Sequence, residues 1–139
     1  LLPEAEFIEL RTNRNYYKIT PDEHQRLTTK KVGVIGLSVG QSAALTRAME
    51  RSFGEIRLAD FDTLDLSNLN RLRSGVHNLG VPKVVIAARE IAEIDPFLPV
   101  RCYCEGITET NLDAFLLEGR RTTVPCRLGH TPSCLGTWH

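Results

Sequence analysis

The sequence predicts an α/β domain in which a largely parallel sheet is flanked by helices. Short apolar, β-rich segments alternate with segments of helical period along residues 20–117. A glycine-containing turn joins the first of these strands to the next helix. Strand, turn, helix and strand within about 30 residues form a βαβ unit, whose crossover is expected to be right-handed. We therefore expect a Rossmann-like fold with a partly parallel three-stranded sheet, as an incomplete doubly wound domain.

The first elements have clear boundary signals. The segment TPDE at residues 20–23 has a capping threonine, a proline at the first helical position and a glutamate, which predicts a helix to about Thr29. The apolar run KVGVIG at residues 31–36 predicts a strand buried on both faces. Residues 41–53 predict a helix, with Gly54 as its cap. One face of that helix should carry Ala44, Leu45, Ala48 and Met49.

The remaining elements complete the alternation of strands and helices. After a second strand at residues 55–60, the polar segment 62–79 has no clear period. A helix should open at Pro82 and end at about Ile94, before Asp95-Pro96. A third strand at residues 99–105 and a helix starting near Thr110 follow.

The domain organisation expected from this pattern has three parts. These are an N-terminal extension (1–19), a partial nucleotide-binding domain (20–118) and an irregular tail (119–139). The tail has no strand or helical period where a fourth strand would be needed, as a truncation or a reading-frame change would produce. Its Cys126, His130, Cys134 and His139 could offer zinc ligands, but their spacing matches no known zinc motif, and we predict no metal site.

The composition excludes several classes of partner. The chain has 17 basic and 17 acidic residues, so no overall field draws it to nucleic acid or to a membrane surface. No apolar stretch approaches the roughly 18 residues that span a bilayer, and the N-terminus is acidic where a signal peptide is basic. We expect a cytoplasmic protein whose four cysteines are thiols, with Cys102 and Cys104 alternating along a strand.

The glycine turn after the first strand is a candidate phosphate site. Gly36, Ser38 and Gly40 lie where backbone amides and a helix N-terminus can bind an anion. Only Gly36 fits the G-x-G-x-x-G pattern, because Ser38 and Gln41 stand at its second and third glycines. A tight turn that needs small residues for packing remains an alternative.

Acidic, amide and basic residues follow the second strand. Asp60 ends that strand, where an acid can accept hydrogen bonds from both ribose hydroxyls of a nucleotide, although an exposed strand-end aspartate is an alternative. A second acid, a polar stretch and two cations come next, which a dehydrogenase does not need but an adenylating enzyme does. These residues are Asp62, Ser67, Asn68, Asn70, Arg71 and Lys83.

The ordered motifs IGLSVG, LADFDTLDLSNLNR and GVPK, followed by an alanine-rich helix that ends in IDP, resemble the ThiF/MoeB family of adenylyltransferases, which includes ubiquitin-activating enzymes. The resemblance covers residues 31–117. It implies ATP and a magnesium ion (Mg2+) as cofactors, and adenylation of the C-terminal carboxylate of a ubiquitin-like or sulfur-carrier protein. It also implies that Asp60 holds the ribose, that residues 67–71 line the nucleotide, and that Arg71 and Lys83 act on the phosphates as catalytic residues.

The N-terminal segment adds a weaker match. Arg14 resembles an N-terminal arginine that in this family reaches the ATP of a partner subunit, which implies a homodimer.

Two departures from the family pattern keep other functions open. The turn GLSVG has fewer glycines, and the regions that carry the family's magnesium-binding aspartate and its cysteine find no counterpart, so no catalytic thiol is assigned to Cys126 or Cys134. A catalytically inactive nucleotide-binding or interaction module is the first alternative, and an NAD-binding dehydrogenase domain is a less favoured one. We also expect no ATP–pyrophosphate exchange by this chain alone, and self-association through an uncovered first strand.

Overall fold

The computed structural model describes residues 2–117, and these form one layered α/β unit. Its helices are α1 (Glu4–Thr12), α2 (Pro21–Thr28), α3 (Leu37–Glu50), α4 (Lys83–Ile94) and α5 (Leu112–Leu116). Its strands are β1 (Lys31–Ile35), β2 (Glu55–Ala59) and β3 (Val100–Tyr103). Short 3-10 turns lie at Asn13–Tyr17, Leu66–Asn68 and Val76–Asn78.

The described sheet is parallel with the order β1-β2-β3, which confirms the predicted α/β fold class. Val34 of β1 pairs with Leu58 of β2, and Leu58 pairs in turn with Cys102 of β3. Because the strands are parallel, their carboxyl ends lie at one edge, where doubly wound sheets bind ligands. Within the described residues β1 is the end strand, and self-association through it stays a prediction.

The two faces of the sheet are covered by different helices. Ile56 and Leu58 of β2 point into a core that α3 and α4 complete. On the other face Ala59, Tyr103 and Phe115 form a smaller core beneath α5. The buried Arg57 also lies in β2, and its guanidinium donates to the carbonyls of Ala114 and Phe115 at the end of α5. A positive group at this helix end is favourable because the last carbonyls of a helix lack partners.

The first half of the chain departs from the sequence prediction in four places. Helix α3 ends at Glu50 with Arg51 as its C-cap, not at residue 53 with Gly54 as its cap. Helix α3 begins at Leu37 rather than at residue 41, because Gly36 has a φ of 81° and turns the chain directly into the helix. Ile35 at the end of β1 is 64% exposed, so burial of β1 on both faces is wrong for the described part. Met49 is half-exposed, whereas Ala44 and Ala48 on the same predicted face are fully buried.

The boundary signals of α2 are confirmed. The Thr20 side chain accepts a hydrogen bond from the Glu23 amide at 3.3 Å, and the Glu23 carboxylate accepts one from the Thr20 amide at 2.8 Å. These bonds hold the pKa of Glu23 below its usual value. This capping box satisfies amides that the first turn of a helix would otherwise leave unpaired.

The N-terminal segment contains a helix that the sequence did not predict. Arg51, in the left-handed conformation at the end of α3, binds Asp95 at 2.7 Å and Glu4 of α1 at 3.5 Å. The side chain of Asn15 also donates to the carbonyl of Glu50 at 3.1 Å. Residues 4–17 therefore pack at the end of α3 that is remote from the glycine turn.

The structure confirms one part of the cysteine prediction and contradicts another. Cys102 is a thiol outside any disulfide and packs, like Cys104, against the main core, as the strand alternation predicted. Cys104 is in a disulfide, so the prediction of four thiols is wrong for this residue. The other two cysteines and the zinc question lie outside the described residues. Nor does any helix among residues 2–117 have the length and apolarity to cross a bilayer.

Candidate functional site

The turn between β1 and α3 has the geometry of an anion site. The Gly36 amide donates to the Ala59 carbonyl at 2.9 Å, which joins the turn to the end of β2. The N-cap residue of α3, Gly36, has no side chain to cap the helix, and among the described residues the amides of Ser38 and Val39 in its first turn have no acceptor. Unpaired amides at a helix N-terminus bind anions, so a phosphate group fits here.

Small residues allow α3 to approach the sheet closely. A Cβ added at Gly40 would lie 2.7 Å from a methyl group of Val34 on β1, so only glycine permits this contact. Gln41, at the position of the motif's third glycine, is buried and donates to the Glu90 carboxylate on α4 at 2.9 Å. The departure from the glycine pattern thus adds a link between α3 and α4. A single sequence gives no signal for this pair, because its members are 49 residues apart.

Asp60 organises the turn through both of its carboxylate oxygens. Oδ2 accepts the Leu37 amide at 2.6 Å, and Oδ1 accepts the Asp62 amide at 2.8 Å. The residue is buried at the carboxyl end of β2. Because each carboxylate oxygen has two lone pairs, capacity remains for donors such as ribose hydroxyls.

Lys83 connects three segments of the chain at this edge of the sheet. Its side chain is only 4% exposed, and Nζ donates to Asp62 Oδ2 at 2.8 Å and to Ser38 Oγ at 3.3 Å. The Lys83 amide also donates to the Asp62 carbonyl at 3.0 Å, which fixes the start of α4 beside the loop after β2. The structure thereby brings the basic residue of GVPK to the glycine turn, as the functional reading of the sequence requires.

The polar stretch after Asp62 forms a separate turn. The Arg71 guanidinium is exposed and donates to the side chain of Asn70 at 2.9 Å and to the Ser67 carbonyl at 3.4 Å. Asn68 is buried, and its side-chain oxygen accepts the Asp65 amide at 3.0 Å. Asn68 therefore shapes the turn, whereas Ser67, Asn70 and Arg71 are exposed to solvent.

Asp65 stabilises the same turn from its other end. Its carboxylate accepts the Ser67 amide at 2.8 Å, and the backbone and side-chain hydrogen bonds from Ser67 hold the pKa of Asp65 below its usual value. The lowered pKa means that this cap is present at neutral pH and is lost as the pH falls through it. Asp65 and Asn68 thus hold the turn that carries Arg71 through contacts within the protein.

Arg14 lies at the other end of the molecule. Its neighbour Asn15 binds Glu50 at the last turn of α3, whereas the glycine turn is at the first. Helix α3 has 14 residues, which at 1.5 Å per residue gives about 21 Å between these ends. Arg14 is therefore too far away to contact the glycine turn of its own chain.

The two implied cofactors fit the described residues differently. A nucleotide phosphate fits the unpaired amides of α3 and the buried cation of Lys83. For a magnesium ion, no group of three His, Cys, Asp or Glu side chains is close enough together to hold a metal among residues 2–117. We therefore derive no chemical step through a metal in this part of the chain.

Sequence comparisons place these motifs in a known family. The model of the ThiF family matches residues 10–120. The Mycobacterium tuberculosis protein MT1398 is 46% identical over 110 residues, which is 79% of this chain and 15% of that protein. Ubiquitin-like modifier-activating enzyme 5 of Drosophila ananassae is 32% identical over 95 residues, 68% of this chain and 24% of the enzyme. The chain thus spans a quarter or less of these relatives.

Solved structures share the fold. TcdA of E. coli, a tRNA threonylcarbamoyladenosine dehydratase, matches 82% of this chain and 48% of its own with a TM-score of 0.72 and 23% identity. TcdA has also been solved in complex with ATP. E. coli MccB with ATP matches 78% of this chain and 35% of its own, with a TM-score of 0.66 and 23% identity. At this identity the likeness shows the fold alone.

Proposed function

The chain belongs to the ThiF family, and we propose that it forms the ATP-binding part of a site that adenylates the C-terminal carboxylate of a ubiquitin-like or sulfur-carrier protein. The arrangement that carries the proposal is the contact of Lys83 with Asp62 and Ser38 at the first turn of α3. It combines a buried cation, unpaired backbone amides and an acid suited to a ribose at one edge of the sheet.

Each group has a proposed role in the transfer. Attack of a carboxylate on the α-phosphate of ATP places charge on the phosphoryl oxygens and on the departing pyrophosphate. Lys83 and the amides of Ser38 and Val39 would stabilise that charge, and Asp60 would accept hydrogen bonds from the ribose. Arg71 would turn from Asn70 to the phosphates, which is possible because its guanidinium is exposed. Gly36 turns the chain into α3, Gly40 allows α3 to contact β1 closely, and the turn that contains Ser67, Asn68 and Asn70 would line the nucleotide.

Magnesium and the carboxylate substrate would meet the nucleotide in the same place. When bound, a magnesium ion neutralises charge on the nucleotide phosphates.

Arg14 supports a second part of the proposal, a homodimer, because its distance from the glycine turn allows it to serve only a partner subunit's nucleotide. The chain spans only 15% and 24% of the two relatives, so we propose that other segments complete the reaction site.

The proposal predicts which substitutions weaken nucleotide binding. Asp60→Ala removes the acceptor for the ribose and for two backbone amides, and Arg71→Ala removes a phosphate donor. Each is expected to lower ATP affinity on the order of tenfold, the typical size of one hydrogen bond to a charged group. Isothermal titration calorimetry measures this, with Arg73→Ala as the matched control because Arg73 is an exposed arginine two positions away. If both variants bind ATP as tightly as the unchanged chain, the site is placed wrongly.

The two alternatives give different results in the same titration. An NAD-binding dehydrogenase domain would bind NAD more tightly than ATP, and the Asp60 and Arg71 substitutions would then affect NAD most. A catalytically inactive module would bind ATP without turnover. Reconstitution with the remaining family segments and a carrier protein, followed by ATP–pyrophosphate exchange, separates that module from an enzyme.

A further inference from the structure

The ammonium of Lys83 is engaged by two side chains of the protein itself. It has three N–H donors, and two of them point to Asp62 Oδ2 and Ser38 Oγ. Ser38 stands at the second glycine of the nucleotide-binding pattern, so its hydroxyl is an acceptor that a glycine would not supply. A phosphate that binds here must share this ammonium with groups that hold it beforehand.

Asp62 covers the ammonium on its solvent side. The Asp62 side chain is 48% exposed, whereas that of Lys83 is 4% exposed. A ligand that arrives from solvent therefore meets the carboxylate before it meets the cation. The carboxylate and a phosphate carry charges of the same sign, so they repel each other where they compete for one ammonium.

Asp60, the neighbouring acid, differs from Asp62 in its burial and in its hydrogen-bond partners. Asp60 is buried, and both of its oxygens are held by backbone amides at 2.6 and 2.8 Å. Among residues 2–117 no amide holds the Asp62 carboxylate, which instead forms the ion pair with Lys83. The first acid of the DFD motif is therefore fixed in the turn, and the second is free to move when Lys83 finds another partner.

We propose that Asp62 is a built-in counterion of Lys83 that competes with the nucleotide's phosphates, so that it lowers the affinity for each phosphate-bearing ligand. This inference rests on the proposed ATP site. It means that Asp62 weakens ATP binding, whereas a residue that contacts the nucleotide favourably would strengthen it. The ion pair with Asp62 compensates the charge of this buried cation, because an unpaired buried ammonium would be costly. The penalty grows with ligand charge, from none for adenosine to its greatest value for ATP.

The test compares Asp62→Asn with the unchanged chain against adenosine, AMP, ADP and ATP, in buffer with EDTA. Asparagine has the same shape, and its amide oxygen can still accept the hydrogen bond from Lys83, so only the charge is removed. ATP affinity should rise about tenfold, ADP and AMP affinities should rise by less, and adenosine should change less than about twofold. Asp22→Asn is the control, since it removes the same charge from the exposed first turn of α2, remote from the site.

Each outcome decides the question. A gain that increases with phosphate number and is absent in Asp22→Asn supports the inference. Unchanged or weaker ATP binding by Asp62→Asn overturns it, as does an equal gain for adenosine and ATP. If the unchanged chain binds ATP but the variant does not exceed it, the proposed function stands and only the inference fails. If neither chain binds any of the four ligands, the proposed function fails and the inference is overturned with it.

Discussion

Replacing Lys83 by methionine is expected to reduce ATP affinity on the order of 10- to 100-fold, the effect of losing a buried, charged hydrogen-bond donor to phosphate. Methionine has a similar length and keeps the packing of a side chain that is 4% exposed. It leaves Asp62 without its cation, which adds repulsion toward the phosphates. The dissociation constant for ATP, measured by calorimetry, checks this prediction.

A matched control separates the local loss from the change in net charge. Lys30→Met removes the same charge from an exposed position just before β1, at the opposite end of the strand from the glycine turn. It should leave ATP affinity within about twofold. Equal losses in the two variants would mean that net charge, rather than the contact of Lys83 with the nucleotide, governs binding.

The second large effect concerns stability, at the remote end of α3. Asp95 is fully buried and accepts from Arg51 at 2.7 Å, and its other oxygen accepts the Phe97 amide at 2.9 Å. Asp95→Asn should lower the free energy of unfolding by about 3–5 kcal/mol, because it removes the buried counter-charge of the Arg51 guanidinium and leaves only the exposed Glu4 carboxylate at 3.5 Å. Urea denaturation followed by circular dichroism measures the change.

Glu4→Gln provides the control for this prediction. Glu4 contacts the same Arg51 at 3.5 Å, but its side chain is 56% exposed. Exposed ion pairs contribute about 0–1 kcal/mol, so the control should unfold at nearly the same urea concentration as the unchanged chain. A loss of less than about 1 kcal/mol in Asp95→Asn would contradict the structural role given to this pair.

Local signals explain how much of the fold was predictable. The capping box at Thr20 and Glu23, the presence of three strands and the turn at Gly36 each depend on a few neighbouring residues, and the structure confirms them, although not the predicted burial of β1. The start of α3 was missed because the first turn contains Ser38 and Gly40, which have little helix propensity. The positive φ of Gly36, rather than propensity, sets where that helix begins.

Contacts between residues that are far apart in the sequence could not be predicted from local patterns. The family resemblance of the ordered motifs implied that Asp60 and Lys83 serve one nucleotide, and the structure places both beside the glycine turn. The same order gives no sign that Arg51 binds Asp95 or that Gln41 binds Glu90, because each pair is brought together only by helix packing. Helix α1 was missed for a related reason: its apolar residues have no strong helical period, and its Glu4 is held by Arg51 on α3.

The most direct test of the central claim, that the first turn of α3 and Lys83 form a phosphate cradle, is an ATP titration of the labelled chain followed by amide NMR. The account predicts that the amides of Ser38 and Val39 shift most, together with those of Asp62 and Lys83, because the phosphate supplies the acceptor that these helix amides lack. The Lys83→Met chain should show these shifts only at much higher ATP concentration. Shifts confined to residues outside 36–40, 60–71 and 83, or no shift at saturating ATP, would contradict it.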